Sequence, residues 1–92
     1  MKYIKVKWVH SLEDTPVMLY SAIDSNRFEV RKVEAYADGR MDFADREGRS
    51  GSTKLGIEPL PSLEEIGADP QFVPMDSSAA EFETVWQTAK AE

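Results

Sequence analysis

Apolar and polar residues alternate from the first positions of the chain. In KYIKVKWVH, Ile4, Val6, Trp8 and His10 fall on one side and Tyr3, Lys5 and Lys7 on the other. A period of two marks a half-buried strand, so Trp8 is assigned to the core and Tyr3, Lys5 and Lys7 to a solvated aromatic-basic row. SLEDTP punctuates with polar residues and proline, and VMLYSAI (Val17 to Ile23) follows as a central strand, apolar on both faces. RFEVRKVEAY is a third strand with a slip of phase. Phe28 and Val30 alternate, but Val33 and Ala35 are one position out, and a bulge near Arg31 and Lys32 would keep all four on the core face. Asp38-Gly39 then signals a hairpin into RMDFA, with Met41 and Phe43 inward. TKLGIE supplies a short fifth strand through Leu55 and Ile57.

The last third changes period. PSLEEIG holds a capping box, Ser62 with Glu65, and Gly67 closes a helix of about two turns before Pro70. DPQFVPM predicts an extended connector stiffened by proline. SAAEFETVWQTAKAE repeats the capping box with Ser78 and Glu81. It spaces Phe82, Val85, Trp86 and Ala89 at i, i+3, i+4 and i+7, the stripe of a helix that docks on a sheet with Trp86 buried. The fold class that follows is α+β: an antiparallel four- to five-stranded meander sheet packed by a C-terminal helix, with one short helix before it. The connections between the first four strands are too short for parallel crossovers. Residues 1–92 form a single two-layer domain.

Composition narrows the chemistry. There is no cysteine, so disulfides, thiolate nucleophiles and cysteine zinc sites are excluded. His10 is the one histidine, which excludes multi-histidine metal sites, and it is expected to bond a backbone carbonyl at a strand end. The N-terminal segment is neither a signal peptide nor a membrane helix, and a cytoplasmic protein is expected. The net charge of −6 is uneven. Residues 1–54 carry ten Lys/Arg against nine Asp/Glu, a balance of +1, whereas residues 55–92 carry one lysine against eight carboxylates, a balance of −7. Such acidity opposes nucleic-acid binding and favours a basic protein partner.

REGRSGSTKLG, residues 46–56, looks at first like a phosphate cradle. Gly51 is followed by Ser52, Thr53 and Lys54, so the Gly-Lys adjacency of a P-loop is missing, and LGIEPLP cannot start a helix. A mobile hairpin loop is expected instead. The carboxylate pairs Glu13/Asp14 and Glu64/Glu65 belong to a turn and a helix start. No nucleophile with its base emerges, so no catalytic residue, cofactor or metal is assigned.

YIKVKWVH, RFEVRKVEAYADG and LGIEPLPSLEEI, taken together, resemble a family of small uncharacterised bacterial and phage proteins, a domain of unknown function. The family's Lys-Val-x-Trp-x-His strand matches Lys5 to His10, its Pro-x-x-Leu-Tyr-Ser strand Pro16 to Ser21, its charged strand Arg27 to Glu34, and its Leu-Gly-x-Glu-Pro-Leu-Pro segment Leu55 to Pro61. The resemblance carries no catalytic assignment. It implies small accessory proteins, some beside toxins, and so suits an immunity-type inhibitor. It also draws attention to Glu29, Arg31, Lys32 and Glu34, four charges in one strand.

Two functional expectations follow. The first is a non-enzymatic protein-binding module, an acidic immunity-type inhibitor of a basic toxin, contacting it through Glu58, Glu64, Glu65, Asp69, Asp76, Glu81 and Glu83. The alternative is a protein that binds or sequesters a nucleotide or other anionic ligand through Arg27, Arg31, Arg40, Arg46, Arg49 and Lys54, with room for a homo-oligomeric interface. Neither involves a membrane.

Overall fold

The computed structural model describes residues 1–91. Seven elements follow in order: β1 (Lys2–Trp8), β2 (Met18–Ile23), β3 (Glu29–Ala35), β4 (Met41–Asp45), α1 (Leu63–Gly67), β5 (Phe72–Ser77) and α2 (Ala79–Ala91). All five strands pair antiparallel, in the order β4-β3-β2-β1-β5. The first four form the predicted meander. At the β3–β4 hairpin Gly39 sits at φ +91°, a left-handed value that glycine takes without a steric cost.

The fifth strand is not the predicted one. Residues 54–58 form no strand, and Ile57 is 91 % exposed. The predicted connector is the strand instead, because Pro74 is tolerated at a sheet edge. Val9 N–H donates to Gln71 O at 2.7 Å, one step beyond the Trp8↔Phe72 pair. Alternate pairs are the hydrogen-bonded ones, so Pro74, opposite Val6, directs its nitrogen away from β1 and costs no ladder bond.

α2 lies across one face of the sheet. Phe82, Trp86 and Ala89 are buried against Ala22 and Val33, with Tyr3, Tyr20, Val30, Met41, Phe43 and Val85 around them. Rings order this layer: Phe43 meets Trp86 edge-on at 5.5 Å, and Tyr3 lies 5.3 Å from Phe82. Such pairs add about 0.5–1.5 kcal/mol each beyond area burial. Ser78 caps α2 by accepting from Glu81 N–H at 3.0 Å. The Glu81 carboxylate does not close the box. It accepts from Lys5 Nζ and Ser77 Oγ, both at 2.7 Å.

That ion pair corrects the assignment of Tyr3 and Lys5 to a solvated row, since both lie under the edge of α2, whereas Lys7 is exposed as expected. The opposite face, bearing Ile4 and Val6, is covered too, by residues 53–62 and α1. The domain therefore has a second covering layer that the two-layer expectation lacked. α1 is shorter than predicted, at five residues. Gly67 is its last helical residue, and a Cβ there would come within 3.3 Å of Pro74, so its smallness serves packing against β5.

Candidate functional site

The bulge in β3 decides which side chains meet on the second face. Ala22 pairs with Arg31 but Ile23 pairs with Glu29, so Val30 is the extra residue, next to the predicted position at Arg31 and Lys32. The slip separates the strand's charges. Val30 packs on the α2 core, whereas Glu29 turns to the opposite face. Phe28 is 37 % exposed and is not the core residue the alternation predicted. A bulge re-aims side chains, and here it aims a carboxylate inward.

Glu29 is buried, and both of its oxygens are engaged. Oε2 accepts from Ser21 Oγ at 2.8 Å, Oε1 accepts from Gly56 N–H at 2.7 Å, and Lys32 Nζ stands 3.8 Å from Oε1. A buried charge needs such partners. Its bond to Gly56 also pins the 55–61 segment over the sheet. Arg27 pins the same segment from its other end. Its Nε donates to Leu60 O at 2.8 Å and its Nη2 to Pro61 O at 2.7 Å, while Leu60 N–H donates back to Arg27 O at 2.8 Å. Arg27 holds φ +67°, a left-handed conformation costing about 1–2 kcal/mol in a non-glycine residue. Three bonds offset that cost.

Between this segment and α1 lies a cleft of about 460 Å³, within the range of small-ligand sites. Its floor is Ile4, Val6, Leu19 and Ser21, with Glu29 and Lys32 at one side. Gly56, Leu60 and Pro61 form one wall, and Glu65, Ile66, Asp69 and Phe72 the other. The cleft is mostly apolar, and carboxylates line its helical wall. Phe72 continues into a small aromatic group, with Trp8 5.7 Å from it and His10 4.8 Å from Trp8. Trp8 is therefore half-buried at the end of β1, while His10 donates from or accepts at both ring nitrogens: Nε2 meets Pro16 O at 2.7 Å and Nδ1 accepts from Leu12 N–H at 3.0 Å. The backbone satisfaction expected of His10 is thus present.

The acidic residues named from sequence divide into two groups. Glu81 and Glu83 are paired with Lys5 and Arg31 under α2. Those cationic hydrogen bonds, aided for Glu81 by Ser77, hold both carboxyls below the ordinary 4.5. Glu58, Glu64, Glu65, Asp69 and Asp76 are exposed. Glu65 and Asp69 line the cleft, Glu64 and Glu58 lie on its flanking segments, and Asp76 stands opposite Ile4 on the edge strand.

The six cations of the alternative set do not converge. Arg27 clamps the cleft wall. Arg31 stacks over Phe82 and Trp86 at 4.9 and 5.3 Å and pairs with Glu83. Arg40 stacks on Tyr36 at 4.2 Å and stands 3.8 Å from Asp14. Arg46, Arg49 and Lys54 alone share a groove, beside Ala44 and Leu55.

The glycine-rich stretch is not a free loop. Residues 48–50 turn back along the outer edge of β4: Asp45 N–H donates to Gly48 O at 2.9 Å, Ser50 N–H to Phe43 O at 2.8 Å, and Phe43 N–H to Ser50 Oγ at 2.9 Å. Gly51 follows at φ +56°, where a Cβ would fall within 3.0 Å of the Asp42 carboxylate. Thr53 is then buried, donating its hydroxyl to Glu34. Its small and hydroxyl residues serve this strand capping. Among the described residues no group of His, Cys, Asp and Glu is placed to hold a metal ion.

The fold and the cleft together define a small antiparallel α+β domain with a groove on the face away from its long helix. The match to a family model described as "Domain of unknown function (DUF6881)" spans residues 2–91, and the chain belongs to that family. No curated protein and no solved structure matches the chain.

Proposed function

We propose that this domain is a non-enzymatic protein-binding module, an acidic immunity-type inhibitor acting on a basic partner in the cytoplasm. One observation carries the reading. Five carboxylates outside the ion pairs, Glu58, Glu64, Glu65, Asp69 and Asp76, line or flank an apolar cleft whose one lining cation, Lys32, faces Glu29, whereas Arg27, Arg31 and Arg40 are engaged within the fold. Residues 55–78 hold Glu58, Glu64, Glu65, Asp69 and Asp76 with no lysine or arginine among them. Opposite potentials steer encounter, and an apolar cleft slows departure once docked. No helix among the described residues is long and apolar enough to cross a membrane.

The test is surface plasmon resonance against a basic protein recovered from the host by pull-down, at several salt concentrations. Glu64→Lys with Glu65→Lys is expected to lower the on-rate and its salt dependence while scarcely moving the melting temperature. An on-rate indifferent to both would leave the acidity a matter of solubility and end this reading. An anionic-ligand reading retains the groove at Arg46, Arg49 and Lys54. Its check is a thermal-shift screen with nucleotides, in which the triple alanine variant should keep its stability to within about 0.5 kcal/mol, as surface substitutions do. A nucleotide-induced stabilisation lost in that variant would favour the second reading.

A further inference from the structure

The cleft bears on what the partner must present. Its floor and walls offer Ile4, Val6, Leu60, Ile66 and Phe72, enough apolar surface to enclose one or two side chains. Its charges are three carboxylates, Glu29, Glu65 and Asp69, against the single ammonium of Lys32. Glu29 has both oxygens occupied, by Ser21 and Gly56, and Lys32 is directed toward it. The carboxylates with capacity to spare are therefore Glu65 and Asp69 at the exposed helical wall. Glu65 keeps only the short-range bond with Ser62 at 3.3 Å, and Asp69 accepts only from Gln71 N–H at 3.0 Å. An apolar floor beneath a negative wall matches an apolar group with a cation beside it. It mismatches a phosphate or carboxylate, whose charge would face that wall unpaired.

Resting on the protein-binding reading above, we propose that the cleft takes a short segment of the partner in which an apolar side chain (leucine, isoleucine, methionine or phenylalanine) stands beside lysine or arginine. The apolar side chain seats on Ile4 and Val6 between Leu60 and Ile66. The neighbouring cation meets Glu65 and Asp69. Most of the affinity then resides in a few buried anchor atoms, and the charges choose the partner and set the rate of encounter.

The experiment selects random dodecapeptides displayed on phage against the intact domain and measures amidated synthetic winners by isothermal titration calorimetry. The expected result is enrichment of an apolar residue flanked by lysine or arginine, with methyl shifts of Leu60 and Ile66 on binding. Glu65→Lys with Asp69→Lys is expected to weaken these peptides tenfold or more, and Leu60→Asp likewise. Circular dichroism confirms that each variant is folded. Because Leu60→Asp threatens the wall itself, the exposed Glu65/Asp69 pair gives an independent arm. Absence of enrichment, winners without basic residues, or binding unchanged in the charge-reversed variant would each overturn the proposal. If the pulled-down partner's on-rate still responds to salt and to Glu64→Lys with Glu65→Lys in any of those cases, the protein-binding reading survives and only this mode of docking falls.

Discussion

The two faces of the sheet are covered by different means. α2 seals one face with a regular element whose own hydrogen bonds are internal, so it needs only an apolar stripe to dock. The other face is covered by irregular chain from residue 53 to 62 and by the five-residue α1. That cover is held at points: Thr53 on Glu34, Gly56 on Glu29, and Leu60 and Pro61 on Arg27. A stripe packs continuously and leaves no room. A cover fastened at points leaves the space between them open, and the cleft lies there. The difference shows how a small domain can seal one face completely and keep a cleft open on the other.

The largest expected effect is on the sealed face. Trp86 is 5 % exposed against Phe43 and Phe82. Trp86→Ala should cost roughly 3–5 kcal/mol in urea denaturation, much of the stability of a domain this size. An unchanged unfolding midpoint would remove the contrast between the faces. On the pinned face, Glu29→Ala leaves the Ser21 hydroxyl and the Gly56 amide without their acceptor and should cost about 1–3 kcal/mol. Hydrogen exchange should show the Gly56 amide losing protection first, while amides of α2 keep theirs.

Arg27 sharpens the comparison further, because backbone and side chain act there in opposite directions. Arg27→Ala loses both carbonyl bonds yet keeps a left-handed residue. Arg27→Gly loses the bonds and relieves the conformation, so it should be the more stable of the two by about 1 kcal/mol. Equal stabilities from parallel denaturation curves would mean that the turn relaxes out of φ +67°. The smallest effect is that of acid on the α2 side. Glu81 and Glu83 have carboxyls held below 4.5 in the folded chain by Lys5 and Arg31, so the unfolded chain binds more protons there. Stability contributed by these pairs is present above pH 4.5 and is lost as pH falls through their folded values. Both pairs are solvent-accessible, so the slope is modest. Glu83→Gln should flatten the decline in melting temperature below pH 4.5, and a decline of unaltered slope would remove Glu83 as a contributor.

How much of this could be read from sequence follows the same division. The α2 stripe was legible because four apolar residues at helical spacing have one way to face a sheet. The meander and the Asp38-Gly39 hairpin were legible from alternation and turn chemistry. Alternation does not say which face is inside when both are covered, so Tyr3 and Lys5 read as solvated. Proline hid β5, since its tolerance depends on which way one nitrogen points. LGIE resembled a strand because apolar spacing alone does not distinguish a strand from a pinned coil. The acidity of the last third was plain in the sequence, but the cleft it surrounds was not. That cleft is assembled from residues 29, 56, 60, 66 and 72, whose meeting depends on a bulge and on two side chain-to-backbone clamps. Its one sequence signal was the charge density of β3 beside the slipped phase.

Pro74 has a consequence for how this protein behaves at high concentration. The outer edge of β4 is occupied by residues 48–50, so β5 is the edge a foreign strand would meet. Three of its residues direct their nitrogens outward. Phe72 N–H is bound to Asp69 O at 3.0 Å, Pro74 has no N–H, and Asp76 alone is left to donate, with its own negative charge beside it. Copies of the domain therefore meet an edge that keeps its outward carbonyls but offers almost no N–H donors, which weakens edge-to-edge stacking into fibrils. Pro74, placed where it costs the fold no ladder bond, thus acts with the Phe72–Asp69 bond and the Asp76 charge to blunt the sheet's open edge.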